Sequence, residues 1–320
     1  MQRVALKIDV DTLRGTLEGV PALIDLVGRY GGAATFFFSL GPDNTGRALR
    51  RVFRRGFLSK VRRTSVVEHY GWRTLTYGLI WPGPHIGRRA GHVMRRVREQ
   101  GFEVGVHCYD HVRWQDYVAH RGAEWTAREM GRACEAFRDV FGAAPEAHAA
   151  AGWQLNAPAL ELETALGFRY ASDTRGSEPF LPSWGGTAGN CPQLPTTLPT
   201  LDELIGRDGL TAQGAAREIL AGSQTALPQG HVFTLHAELE GMRLRTAFEF
   251  LLRSWRDTGV RLVALGDVRA TLDPGALPRH GISMQPVPGR SGALAVQDMR
   301  VAADGPRAPH TGGAAARTHL

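Results

Sequence analysis

The chain returns repeatedly to one pattern: a short apolar run that ends in a residue able to bind a metal or move a proton, followed by a segment with helical spacing. Val4-Ala5-Leu6-Lys7-Ile8-Asp9-Val10-Asp11 ends in two carboxylates, Phe102 to Val106 leads into His107, Phe168 to Ser172 into Asp173, and Gly230 to Leu235 into His236. Runs of this length and character read as buried strands. Between the first run and the next, Leu17, Val20, Leu23, Ile24 and Val27 recur at helical spacing until Gly31-Gly32, and Ala34-Thr35-Phe36-Phe37-Phe38 follows as a second buried strand. Strand, helix, strand at this spacing is a parallel βαβ unit. Further helices are expected over residues 85–100, 124–141, 212–227 and 242–257, and another after Asn156, a helix cap with Pro158 in the first turn. The last strand is expected at 260–265. About seven parallel strands alternating with helices is an α/β fold of (β/α) barrel type, whose working face lies at the carboxyl ends of the strands. Asp9, Asp11, His107, Asp173 and His236 would all stand on that face. The 320 residues suit one such domain, taken as 1–278.

Two of the strand ends carry spacings with chemical meaning. His107 and His111 are four positions apart, so one backbone turn lets both imidazoles reach a single ion. A catalytic metal needs a further ligand and an open position, and the Asp9-Val10-Asp11 pair can supply both a ligand and a group that takes a proton from water. Each motif alone reads equally well as something plainer: a strand-end histidine beside a helix-surface one, or a turn with an aspartate cap. Both after buried strands point to a site for metal-assisted hydrolysis. Two imidazoles and a carboxylate suit a divalent ion, zinc first, with Mn, Co, Ni or Fe also compatible.

The net charge of +7 is local in origin. From Arg47 to Arg98 there are fourteen Arg or Lys against one acid, Glu68. Nine of the fourteen lie in an insertion after the second strand, residues 45–86, where basic residues alternate with Phe and Leu before the aromatic stretch Tyr70 to Trp81. That composition fits a segment lying in an anionic membrane interface; an ordinary basic helix packed on the barrel is the alternative. Arginine clusters also suit phosphate. Nucleic acid is not expected as a partner, because no motif for it accompanies the charge. Cys108, Cys134 and Cys191 are far apart without a CxxC, which fits a reducing compartment. The amino-terminal stretch has no signal-peptide character and no apolar run is long enough to span a bilayer, so a cytoplasmic location is expected. Residues 279–320, rich in Gly, Pro, Ala and Arg, are expected to be a disordered tail.

With these residues assembled, the chain resembles the polysaccharide deacetylase family, which shares the NodB homology domain. The resemblance implies a distorted, incomplete (β/α) barrel and an amide hydrolase. It implies Asp9 as general base, Asp11, His107 and His111 as metal ligands, and His236, in Thr234-Leu235-His236, as general acid. Asp173 is expected to orient His236 or meet the substrate, and Arg175 is a candidate for phosphate or sugar. The family usually places an arginine in the region that reads Ala149-Ala150-Ala151-Gly152-Trp153-Gln154, and its absence leaves the partner that orients the base unassigned. Within the family, these motifs together with Tyr70 to Leu75, Ser172 to Gly176 and Pro195 to Leu204 are similar to the branch that removes a formyl group from a formamido sugar carried on undecaprenyl phosphate. That resemblance implies a peripheral location at the cytoplasmic face of the inner membrane. The competing expectations are a deacetylase of another N-acetylated sugar or oligosaccharide, and a non-catalytic binding barrel.

Overall fold

The computed structural model describes residues 2–48 and 72–300. Eleven strands are present among them: β1 Arg3–Val10, β2 Thr35–Ser39, β3 Glu103–Cys108, β4 Ala147–His148, β5 Tyr170–Ala171, β6 Leu181–Trp184, β7 Thr187–Ala188, β8 His231–His236, β9 Arg261–Val263, β10 Arg279–Pro286 and β11 Ala293–Arg300. Seven form one parallel sheet in the order β5-β4-β3-β2-β1-β8, with β9 also on β1. Val4 and Ala5 pair with β8 and β9 at once, while Lys7 to Asp9 pair with β8 and β2, so β9 and β2 share one side of β1 at different heights. The curled sheet is an incomplete (β/α) barrel, and β5 and β8 do not pair. An irregular segment spans that gap: Leu194 N–H donates to Ala171, and Thr197 and Leu198 N–H groups donate to Val232.

Period-two alternation sorts the strands' side chains. Val4, Leu6, Ile8 and Val10, with Phe36, Phe38, Val106, Phe233 and Leu235, face the surrounding helices in one large core. Ala5, Phe37, Ala147, Ala149, Tyr170, Leu194, Val232 and Val263 fill the barrel. Ala5, Lys7 and Asp9 share the inner face of β1, so the strand that packs the barrel also carries charge to its mouth. Gly105 is part of this packing, because a Cβ there would stand 2.5 Å from the Phe37 ring beneath His107.

The helical spacings give α1 Val20–Arg29, α2 Ile86–Glu99, α3 His111–Tyr117, α4 Ala123–Phe141, α5 Ala157–Ala165, α6 Ala212–Gly222 and α7 Arg245–Asp257. Asn156 caps α5 by accepting from the Ala159 N–H, with Pro158 in the first turn. None of the helices described is long and apolar enough to cross a membrane.

One boundary is corrected. Residues 279–300 are not a disordered tail: β10 and β11 form an antiparallel hairpin, and β10 runs parallel to β6 in a second sheet of order β11-β10-β6-β7. Composition averaged over the whole segment concealed two short β-forming stretches around Ile282 and Leu294, both buried. The folded unit therefore extends at least to residue 300, and the rest of the expected tail lies outside the described residues. So do residues 49–71 of the basic insertion. Its described end, Leu79-Ile80-Trp81, is a turn whose Ile80 and Trp81 are 70% and 66% exposed.

Candidate active site

The two histidines are positioned by a strand and a helix that meet at Asp110. His107 lies near the end of β3, and Asp110 accepts from the Arg113 N–H, capping the α3 helix that His111 opens. The Asn44 side-chain amide donates to the other Asp110 oxygen at 2.6 Å, tying the start of the insertion to this cap. The His107 Nδ1–H donates to the Ala149 carbonyl at 2.6 Å, which leaves Nε2 as the ring's free lone pair. Nε2 of His107 and Nε2 of His111 each stand 3.4 Å from the same oxygen, Asp11 Oδ1. That oxygen is buried and has no hydrogen-bond partner among the described residues. Burial alone would raise the Asp11 carboxyl's pKa, but the imidazoles of His111, His107 and His236 hold it well below the usual carboxylate range.

Three donor atoms arranged in this way fit a divalent ion. Adjacent vertices of a tetrahedron with metal–ligand bonds of about 2.0–2.1 Å stand about 3.3–3.4 Å apart, which matches both observed spacings. The group stays reachable from solvent, since the Asp11 and His111 side chains are 12% and 18% exposed.

Asp9 points into the barrel two residues before Asp11, and it lies opposite His236 in the β1–β8 register. Its Oδ2 is 3.3 Å from Lys7 Nζ, while its Oδ1 is buried without a hydrogen-bond partner among the described residues. Lys7 is fully buried; its ammonium also donates to the Ser172 carbonyl at 2.9 Å and sits 5.0 Å from the Trp153 ring. The partner that steadies Asp9 is thus a lysine on the same strand. Trp153 itself has a left-handed backbone, φ 52°, a conformation that a bulky residue adopts only when its surroundings enforce it. Its ring lies edge-to-face with His236 and beneath the guanidinium groups of Arg175 and Arg290.

His236 ends β8, where its N–H donates to Glu240 Oε2 at 2.7 Å and its buried Nδ1 has no hydrogen-bond partner among the described residues. The carboxyl groups of Glu238 and Glu240 are both pushed up to about 8, chiefly by burial. Glu238 Oε1 accepts from the Asp11 and Thr12 N–H groups and the Thr12 hydroxyl, fixing the turn that presents Asp11. Asp202 also belongs to this end of the site: burial works against its charge, but Arg290 and His236 hold its carboxyl down.

The sequence-derived site therefore assembles in part. Asp9, Asp11, His107, His111 and His236 converge at the barrel mouth. Asp173 does not join them. Its Oδ1 accepts from the Ala150 N–H at 2.6 Å and faces His148 Nδ1 at 3.0 Å, and its Oδ2 accepts from the Gln193 amide at 2.8 Å, so both oxygens are used far inside the protein. Arg175 is committed to Glu203 and the Leu198 carbonyl. Lys7, Asp202, Glu238, Glu240 and Arg290 were not singled out from the sequence. Lys7 could have been, because alternation places it in phase with Asp9; Arg290 could not, because it sits in a segment whose composition suggested no structure.

Comparison with known proteins places the fold in a family. The polysaccharide deacetylase family profile matches residues 2–171. A Shewanella sediminis protein assigned as a 4-deoxy-4-formamido-L-arabinose-phosphoundecaprenol deformylase is 37% identical over 82% of this chain and 84% of its own length. A Wigglesworthia glossinidia brevipalpis protein of the same assignment is 31% identical over 88% of this chain and 98% of its own. Among solved structures, a candidate polysaccharide deacetylase from Mycobacterium smegmatis shares the fold with a TM-score of 0.59 at 15% identity, over 89% of this chain and 96% of that one. The peptidoglycan N-acetylglucosamine deacetylase Bc1960 does so at 0.52 and 17%, over 84% and 89%. By its profile match, its relatives and its fold, the chain belongs to the polysaccharide deacetylase family.

Proposed function

We propose that this protein is a divalent-metal-dependent amide hydrolase that removes the formyl group from 4-deoxy-4-formamido-L-arabinose carried on undecaprenyl phosphate, a step in aminoarabinose modification of lipid A. The observation that carries the reading is the buried, unpartnered Asp11 Oδ1 held equidistant from two imidazole nitrogens, with Asp9 and His236 on neighbouring strands beside it. The substrate follows from the names of the two relatives, which this chain matches over most of its length.

Asp11, His107 and His111 would hold the ion, zinc first among the candidates. When bound, it supplies Lewis-acid polarisation of the formamide oxygen and makes the attacking water more acidic. Asp9 Oδ1 has no hydrogen bond to give up before it accepts a proton from that water, and Lys7 on Oδ2 keeps the carboxylate aimed into the mouth. His236 passes a proton to the departing sugar nitrogen, which is a poor leaving group until it receives one. Trp153 and Glu240 fix the ring and backbone of His236 for that transfer. The products are formate and the free 4-amino sugar, still on its lipid.

A lipid-linked sugar is presented at a bilayer surface. The exposed Ile80 and Trp81 support docking of this rim on an anionic membrane, since Gly78 in the same turn packs on Asn44, whose amide binds the Asp110 cap beside His111. The proposed location is peripheral, at the cytoplasmic face of the inner membrane.

The decisive experiment offers the purified protein formylated and acetylated lipid-linked aminosugars side by side, with and without chelator, and follows products by mass spectrometry. Chelator-sensitive release of formate is expected. Preference for the acetylated sugar overturns the deformylase assignment, and turnover unaffected by chelator overturns the metal.

A further inference from the structure

A second group of metal-type side chains lies in the barrel wall. His148 on β4, Glu163 on α5 and Asp173 just after β5 bring a ring nitrogen and two carboxylates together. All three are buried. The spacing is that of shared protons, with His148 Nδ1 3.1 Å from Glu163 Oε1 and 3.0 Å from Asp173 Oδ1. On the other edge, the Gln193 amide donates to Glu163 Oε2 at 3.1 Å and to Asp173 Oδ2 at 2.8 Å. Every carboxylate oxygen is already engaged, so no ion is needed. Burial and the adjacent Asp173 push the Glu163 carboxyl far up, whereas Asp173, despite its burial, is held down by His148. The anion of the cluster is therefore Asp173.

That anion is one peptide group away from the metal centre. The Ala150 N–H donates to Asp173 Oδ1, and the carbonyl of the same peptide unit, that of Ala149, accepts from His107 Nδ1. We infer that Asp173 is a positioning residue for His107, acting through the single peptide group between Ala149 and Ala150. A carboxylate on the amide side of a peptide draws charge toward the carbonyl oxygen and makes it a stronger acceptor. The acceptor on Nδ1 fixes the tautomer, holds the ring plane and makes Nε2 a better ligand. A direct carboxylate–histidine contact does this in many metal sites; in this protein a backbone amide stands between the two. Ala149 can play the part because its own N–H is anchored on the Val106 carbonyl of β3, the residue before His107.

The inference rests on the metal reading of Asp11, His107 and His111, and the test separates the two. Zn(II) is titrated into the full chain against a chromophoric chelator, while NMR follows the His107 ring nitrogens, the Ala150 amide and the Asp173 carboxylate carbon. In the wild type, the neutral His107 ring should carry its proton on Nδ1, the Ala150 amide should lie far downfield, and both it and Asp173 should shift as zinc binds. Asp173→Asn should weaken zinc binding about tenfold, the lower end of the range for outer partners of a ligand. Glu163→Gln, which disturbs the same cluster without touching the peptide link, should lower the melting temperature but leave zinc affinity at the wild-type value. Zinc that binds with no shift at Ala150 or Asp173, or a folded Asp173→Asn protein with unchanged affinity, overturns the inference and leaves the metal site standing. If Asp173→Asn does not fold, the wild-type shifts decide alone. Wild-type protein that binds no zinc overturns both.

Discussion

Two clusters in this barrel have nearly the same ingredients and opposite designs. Asp11, His107 and His111 form one; His148, Glu163 and Asp173 form the other. In the first, a carboxylate oxygen is left without a partner and two of the three side chains reach solvent. In the second, all three are sealed in, and a histidine N–H, a backbone N–H and a glutamine amide occupy the carboxylate oxygens. Between these two clusters the difference is not residue type but unmet bonding capacity. A buried polar atom left unpaired costs free energy. Of these two clusters, the one at the barrel mouth keeps such an atom, on Asp11, beside those of Asp9 and His236, where a ligand can meet them, and the one in the wall has its carboxylate oxygens satisfied.

The sharpest way to break this contrast is to disable each cluster and ask what is lost. Asp11→Asn should abolish metal retention and lower kcat/KM by about 10³-fold or more, with the fold intact, as read by metal analysis and formate release. His148→Ala should do the reverse in kind. It strips the buried Asp173 of its compensating cation, which costs about 3–5 kcal/mol of stability in urea unfolding. If Asp11→Asn unfolds the protein, or His148→Ala leaves the urea midpoint where it was, the division between a working and a supporting cluster fails.

The difference also explains what the sequence disclosed. The open cluster was legible because its residues sit at or just after strand ends and at fixed local spacings, DxD and HxxxH. The barrel was legible in the βαβ unit, where the helical spacing of Leu17 to Val27 stands between two buried apolar runs. The wall cluster is built from residues 148, 163, 173 and 193, and no spacing rule connects them. His148 is a buried, satisfied histidine, and nothing local in the sequence reveals that its partner is Asp173. Asp173 at a strand end looked like a catalytic group because strand-end position says which face of the barrel a residue approaches, not whether a peptide group stands in between. Arg290 illustrates a further limit: a hairpin of alternating residues was hidden in a Gly- and Pro-rich segment by averaging over its length.

Acidity sharpens the contrast further. Burial disfavours a charged His148, but Asp173 and Glu163 raise its pKa to about 10. The unfolded chain loses that proton near pH 6.5, so the stability it contributes is complete below about 6.5 and is lost as pH rises through about 10. Glu240, beside the open site, works in the same direction. Burial pushes its carboxyl up to about 8, so the native state keeps a proton that the unfolded chain sheds from about pH 4.5, and stability declines as pH rises from there toward 8. Glu240→Gln keeps an acceptor for the His236 N–H and removes the charge. It should gain about 2 kcal/mol over wild type at pH 9 and little at pH 4, measured as urea midpoints. An equal shift at both pH values would show that the carboxyl is not titrating as its burial requires.

Lys7 is where the two clusters come closest to sharing a residue, and it carries the smallest of these effects. Its ammonium binds the Asp9 carboxylate of the mouth and the carbonyl of Ser172, the residue next to Asp173 of the wall. Trp153 and Phe37 cover it with ring faces, which compensate a buried cation in part. Lys7→Met keeps the apolar stem and removes the charge, so Asp9 loses the ion pair with Lys7 while the proposed ligands Asp11, His107 and His111 are untouched. With the proposed base present but no longer aimed, part of the 10²–10⁴ such groups supply is given up, so kcat should fall about tenfold with zinc affinity unchanged. Because proton abstraction is the step affected, the loss should appear in kcat more than in KM. A variant that loses zinc instead would place Lys7 in the support of the metal ligands, and the base at the mouth would then need another source of orientation.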